Sequence, residues 1–111
     1  MSYNVIPTDK FKREAKRLIR KYPSLKNELL ELEDKLSANP GMGTPLGKDT
    51  YKIRLAIKSK GRGRSGGARI ITYIVTENQE VYLLTIYDKS EMGTISDKTL
   101  AQIIKDLKSE L

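Results

Sequence analysis

The sequence predicts an α+β domain: a helical hairpin, then an antiparallel-type sheet that the helices pack against, then a last helix. Three observations lead to this. Apolar residues recur at helical spacing through the first 38 positions and are interrupted at Pro23-Ser24. Three β-rich runs follow between Tyr51 and Tyr87. A final amphipathic stretch begins near Ser96.

The elements follow in order. Tyr3-Asn4-Val5-Ile6 is β-capable and is closed by Pro7. Thr8 or Asp9 can cap a helix over about residues 8–21. Phe11, Ala15, Leu18, Ile19 and Tyr22 form its apolar stripe, and seven Lys and Arg residues from Lys10 to Lys21 cover the rest. Pro23-Ser24 stops that helix, and Ser24 is the expected N-cap of the next. Leu25, Leu29, Leu32 and Leu36 mark the buried face of the second helix. Glu28, Glu31, Glu33 and Asp34 are expected outside.

Residues 39–50 hold three Gly and two Pro and read as a loop. Tyr51, Ile53, Leu55 and Ile57 then alternate with Lys52, Arg54, Ala56 and Lys58, a strand with one apolar and one basic face. Ser59 to Gly67 is a Gly-rich basic loop. Ala68–Thr76 and Glu80–Tyr87 read as a hairpin joined at Glu77-Asn78-Gln79. Ser96 or Asp97 caps the last helix, with Leu100, Ile103, Ile104 and Leu107 apolar. No repeat or linker divides the chain, so residues 1–111 are expected to form one domain.

Composition limits the chemistry. The chain has 111 residues, no Cys and no His. Disulfides, thiolate or imidazole metal sites, Cys nucleophiles and a histidine base are therefore excluded. Asp88 and Glu91 have no further carboxylates near them in sequence, so neither a metal nor a cofactor is expected. The first 25 residues lack a long apolar run, and no stretch is long enough to span a bilayer. A soluble cytoplasmic protein without a membrane partner is the expectation.

The net charge is +7, and it is localised. Residues 48–69 carry +7 by themselves, and residues 9–21 carry +5. The charges of the first helix lie on the polar side of an amphipathic pattern, where a solvated face is the plain explanation. The strand is different. Lys52 and Arg54 point to one side, about 7 Å apart, and repel each other unless an anion sits between them. Arg62, Arg64 and Arg69 follow in or just after the glycine-rich loop, whose backbone N–H groups can face a phosphate. The loop is neither a Walker A motif nor a dinucleotide fingerprint. Tyr87 ends a strand beside Asp88 and Lys89, where stacking on a base and core packing are both open to it.

Several segments resemble the RelE/ParE superfamily of bacterial type II toxins, and most closely its RelE/HigB-like branch. They are Phe11-Lys12-Arg13-Glu14-Ala15-Lys16-Arg17-Leu18, Tyr22-Pro23-Ser24-Leu25, Tyr51-Lys52-Ile53-Arg54-Leu55-Ala56, Gly66-Gly67-Ala68-Arg69-Ile70-Ile71 and Leu83-Leu84-Thr85-Ile86-Tyr87-Asp88-Lys89-Ser90-Glu91. Each motif is loose alone, and they occur here in family order. The resemblance implies a helical hairpin on a twisted antiparallel sheet with a C-terminal helix. It implies a ribosome-dependent endoribonuclease that cleaves messenger RNA in the A site and inhibits translation. It also implies a cognate antitoxin protein as partner. Lys52, Arg54 and Arg69 match basic positions of the family site, and Lys89 lies near another. The late tyrosine that some relatives use is replaced here by Ile95 or Ser96, and the histidine of HigB-like relatives is missing.

Such cleavage needs a base for the 2′-hydroxyl, positive groups around the phosphorane, and neutralisation of the leaving oxygen. Lys52 is the candidate base, with neighbouring Arg54 and Arg69 expected to lower its pKa. Arg54, Arg64 and Arg69 are the candidate phosphate stabilisers, and Lys89 serves the leaving oxygen. Lys58, Lys60, Arg62, Tyr87 and the basic face of the first helix would hold ribosomal or messenger RNA. Two other readings of the same residues are a non-catalytic, ParE-like gyrase poison and a plain RNA-binding domain.

Overall fold

The computed structural model describes residues 2–60 and 66–110, Lys60 through its backbone only. The elements are β1 (Asn4–Pro7), α1 (Asp9–Lys21), α2 (Leu25–Ala38), β2 (Thr44–Gly47), β3 (Thr50–Leu55), β4 (Ala68–Val75), β5 (Glu80–Asp88) and α3 (Asp97–Glu110). The predicted α+β class and its helical hairpin, sheet and C-terminal helix are all present.

Local chemistry sets most of the boundaries. Thr8 is extended and accepts a hydrogen bond from the Phe11 N–H, as an N-cap does. Its hydroxyl also donates to the Leu83 carbonyl, so one residue both starts α1 and attaches it to β5. Ser96 caps α3 by accepting from the Thr99 N–H. Ser24 departs from expectation. It is helical and makes no capping bond of its own, because its hydroxyl is used by Glu28 and Ser59. Glu28 departs too: it is buried rather than on the outer acidic face.

The sheet order is β1-β5-β4-β3-β2, and every pairing is antiparallel except β1 with β5. The order requires the chain to place the whole helical hairpin between β1 and the rest of the sheet. The parallel edge was not anticipated, since four residues carry no signal of their partner's direction. Nor was β2, which lies inside the expected loop. Its residues are exposed and do not alternate, and Pro45 confines it to an edge. Lys48 and Asp49 both have positive φ, a two-residue turn of the type that matches strand twist.

Two cores flank the sheet. On one side α1 and α2 bury Phe11, Leu18, Leu25, Leu32 and Leu36 against Ile53, Ile70, Val81, Leu83 and Ile86. On the other, α3 brings Leu100 and Leu107 against Ile71, Tyr82, Leu84 and Tyr87. A bulge in β5 links them. Ile71 pairs with Thr85 while Thr72 pairs with Leu83, which leaves Leu84 as an extra residue. Val81 and Leu83 face the hairpin, and so does Ile86, whereas Tyr82, Leu84 and Tyr87 face α3. Without the extra residue, strict alternation would turn Tyr87 toward the hairpin.

Candidate functional site

The bulge matters because of what lies beside Tyr87. Across β4 and β5, Arg69 is paired with Tyr87; across β3 and β4, Arg69 is paired with Arg54. These three residues form one row across three strands. Lys52 lies two residues from Arg54 on the same face, opposite Ile71. Ile53 and Leu55 point the other way into the hairpin core, which fixes Lys52 and Arg54 on the α3 side.

The row passes from solvent to interior. Arg54 is exposed, Lys52 is half-buried and Arg69 is only 4% exposed. Arg69 donates from Nη1 to the Ala68 carbonyl at 3.1 Å. Burial is the largest influence on its guanidinium and pulls its pKa below the ordinary value. Arg54 adds to that and Tyr87 opposes it. Neither Lys52 nor Arg54 makes an ion pair among the described residues. Directly opposed like charges repel across a sheet, and an anion bound between them would offset that repulsion.

Tyr87 is 5% exposed, packed in the core beneath α3, and its hydroxyl is buried without a hydrogen-bond partner among the described residues. Its ring is therefore core packing and presents no open face for a base to stack on. Lys89 follows the strand. Its N–H donates to the Gly67 carbonyl at 3.0 Å, and its Nζ to the Gly93 carbonyl at 2.7 Å. The first contact holds Lys89 at the end of the ladder where Ala68 pairs with Asp88, one residue beyond the Arg54–Arg69–Tyr87 row.

Asp88 and Glu91 hold structure. Asp88 is fully buried and accepts from the Tyr22 hydroxyl and from the N–H and hydroxyl of Ser90. Glu91 accepts both guanidinium branches of Arg17 and also the Lys21 ammonium. The Arg17 hydrogen bond holds the Glu91 carboxyl below the usual carboxylate range. Three of the seven bases on α1 are thus matched within the fold, since Lys10 also pairs with Glu14 at 2.6 Å. That accounts for part of the solvated basic face.

The expected RNA-gripping residues divide differently. Lys58 and Lys60 lie in a short 3-10 turn, Lys58–Lys60, where Lys58 is exposed. Arg62 and Arg64 lie outside the described residues.

One set of residues near the site was not anticipated. The Lys58 N–H donates to Glu28 Oε2 at 2.8 Å, the Ser59 N–H donates to Ser24 Oγ, and the Ser24 N–H donates to Ser59 Oγ. This reciprocal clamp fixes the start of the basic loop to the beginning of α2. Gly67 fixes its far end, because a Cβ there would collide with the Leu55 carbonyl. Ser24 and Glu28 stand four apart, a spacing that helices repeat everywhere. Only the partner at Ser59, 35 residues away, gives it meaning.

No helix among the described residues is long and apolar enough to cross a membrane. No family model matches the chain. The solved structures that are similar to it in fold include two bacterial toxins. A mutant of the E. coli toxin RelE with two arginines replaced by alanine, in the free state, superposes with a TM-score of 0.65. It is 17% identical, over 96% of this chain and 98% of that one. A chain of the Mycobacterium tuberculosis toxin–antitoxin complex RelBE2 superposes with a TM-score of 0.60. It is 22% identical, over 79% of this chain and 99% of that one.

Proposed function

We propose that this chain, which has the RelE fold, is the single-domain toxin of a type II toxin–antitoxin pair. In this reading it is a metal-independent endoribonuclease that cleaves messenger RNA in the ribosomal A site. The observation that carries the reading is the row of Arg54 opposite Arg69, with Lys52 on the same face. Such a row favours a polyanion over any neutral ligand. The likeness to a chain of a toxin–antitoxin complex supports an antitoxin as partner.

The chemistry follows from the row. The 2′-oxygen attacks the adjacent phosphorus, its proton passes to Lys52, and the bond to the 5′-oxygen breaks. The products are a 2′,3′-cyclic phosphate and a 5′-hydroxyl. Arg54 and Arg69 oppose the charge that builds on the phosphorane oxygens, where preformed donors act best. Arg69 is held by the sheet and partly desolvated, so it needs little reorganisation during the reaction. Arg64, three positions before Gly67 in sequence, is assigned with them, and Lys89 supplies a proton to the leaving oxygen. Lys58, Lys60 and Arg62 hold the flanking backbone.

Inducing the chain in cells and mapping messenger 5′ ends tests the reading. In-frame cuts on translated messages are the expected result. Gyrase-dependent DNA breaks without such cuts would replace it with a gyrase poison. RNA binding without growth arrest would leave only a binding domain.

A further inference from the structure

We infer that Asp88 is a positioning residue for the cleavage: through Tyr22 and Ser90 it fixes the turn that presents Lys89 to the leaving 5′-oxygen. The inference rests on the ribonuclease reading and adds to that site a support that comes from the far side of the sheet.

Register puts Asp88 and Lys89 on opposite faces of the sheet. The Lys89 N–H, bonded to the Gly67 carbonyl, extends the β4–β5 ladder past the Ala68–Asp88 pair. Alternation then places Lys89 two positions beyond Tyr87, on the face of Arg69 and Arg54, about 7 Å farther along the strands. Asp88 points the other way, toward the helical hairpin, and there its Oδ2 accepts from the Tyr22 hydroxyl at 2.8 Å. Tyr22 is the C-cap of α1, so the end of that helix meets the end of β5.

The same carboxylate organises the turn. Its Oδ1 accepts from the Ser90 N–H at 2.9 Å and from the Ser90 hydroxyl at 2.7 Å. The Asp88 carbonyl accepts from the Glu91 and Met92 N–H groups, both at 3.0 Å, and closes the chain on itself. Lys89 is the residue between these contacts. Its tip is held as well, since Nζ donates to the carbonyl of Gly93, the residue after Met92, at 2.7 Å. An ammonium carries three N–H bonds, so one to Gly93 leaves two for substrate. Both ends of the Lys89 side chain thus depend on a turn folded around Asp88. A fully buried carboxylate is costly to desolvate, and the hydrogen bonds that offset the cost at Asp88 tie down the Lys89 turn. Arg17 and Lys21 bind Glu91 from the C-terminal half of α1, a second attachment of the same turn. A displacement of about 1 Å at a reacting group costs about 10²-fold in rate, so fixing of this kind is large enough to measure.

The experiment uses the full chain on programmed ribosomes with two messages, one natural and one with sulfur in place of the 5′-oxygen at the cut. A thiol ionises at about pH 8.5, far below an alcohol, so sulfur departs without an added proton. At saturating protein, Lys89→Ala is expected to cleave the natural message about 10²-fold slower than the wild type, and the sulfur message at nearly the wild-type rate. Asp88→Asn and Tyr22→Phe are expected to show the same pattern, with the natural message slowed about 10–10²-fold. Tyr22→Phe keeps the ring and removes one hydroxyl, so it carries the test if Asp88→Asn does not melt cooperatively. Damage to the fold alone would slow both messages equally. That result, or wild-type cleavage of the natural message by folded Asp88→Asn or Tyr22→Phe, overturns the positioning role and leaves the ribonuclease reading standing. A wild type that cleaves neither message overturns that reading, and the role with it.

Discussion

Arg54 and Arg69 stand directly opposite each other on β3 and β4, one exposed and one buried. In such a pair the Cα atoms are only about 4.5–5.5 Å apart. Relieving the repulsion should stabilise the fold. Arg54→Thr, at an exposed strand position, is expected to raise unfolding stability by about 0.5 kcal/mol. The same change is expected to slow messenger cleavage about 10²–10³-fold. Denaturant melts and single-turnover cleavage measure the two effects. A variant that is less stable and equally active would remove the row from the mechanism.

Arg69 demands a different design, because its side chain is nearly buried. Arg69→Ala leaves a space beside Tyr87 as well as removing a donor, so loss of activity must be separated from loss of fold. Arg69→Lys keeps the charge and discards the planar fork. Both variants are expected to melt cooperatively, with cleavage at saturating protein down about 10²–10³-fold in Arg69→Ala and partly restored in Arg69→Lys. Cleavage near the wild-type rate in folded Arg69→Ala would leave Lys52 and Arg54 as the remaining candidates.

Ribosome binding should weaken steeply with salt. If about six phosphates are contacted, the log–log slope is expected near −5 for duplex-like RNA and somewhat smaller for single strands. Arg54→Thr should reduce its magnitude by about one. Sedimentation binding between low and physiological salt reads the slope, and a flat response would place the RNA face elsewhere.

The Glu91 carboxyl, held low mainly by its hydrogen bond from Arg17, predicts an acid-sensitive tether. Its folded pKa lies below the ordinary 4.5, so its contribution is present above about that pH and is lost as pH falls through the folded value. The pair is exposed, so global stability should change little. Hydrogen exchange should instead quicken in residues 89–96 of Glu91→Gln at neutral pH. Unchanged protection there would show that the Lys89–Gly93 and Asp88–Ser90 contacts hold the segment unaided.

Gly67 and Gly43 offer a test of close backbone approach. A Cβ at Gly67 would strike the Leu55 carbonyl, and at Gly43, where φ is +96°, the Lys52 carbonyl. Gly67→Ala and Gly43→Ala are each expected to cost about 1–3 kcal/mol. Because both carbonyls belong to β3, which carries Lys52 and Arg54, cleavage should fall along with the melting midpoint. A neutral melt for either would contradict the packing described.

Local pattern was enough for the helical hairpin, the basic strand, the β4–β5 hairpin and the capped last helix. These depend on periods of 3.6 and 2 and on Thr8, Ser96 and Pro23, whose effects act within a few residues. The charge count alone also located the cationic segment around Lys52 and Arg54. Other features were hidden because their causes lie far away in sequence. β2 has no alternation and exists because β3 supplies its hydrogen bonds. The parallel direction of β1 is set by where β5 lies. Glu28 reads as a surface acid until the Lys58 N–H and Ser24 hydroxyl arrive to satisfy it.

The sequence by itself determined that this is a basic α+β domain without imidazole or thiol chemistry, and which strand carries the cations. Tertiary structure alone decided that Arg54 meets Arg69, that Arg69 is desolvated and that Tyr87 is core. Register is the physical reason. Side chains alternate along a strand, so one extra residue at Leu84 reverses everything after it. No rule acting within β5 places that bulge. It arises where Ile71 and Thr72 of β4 meet Thr85 and Leu83, and that pairing exists only once the sheet has formed.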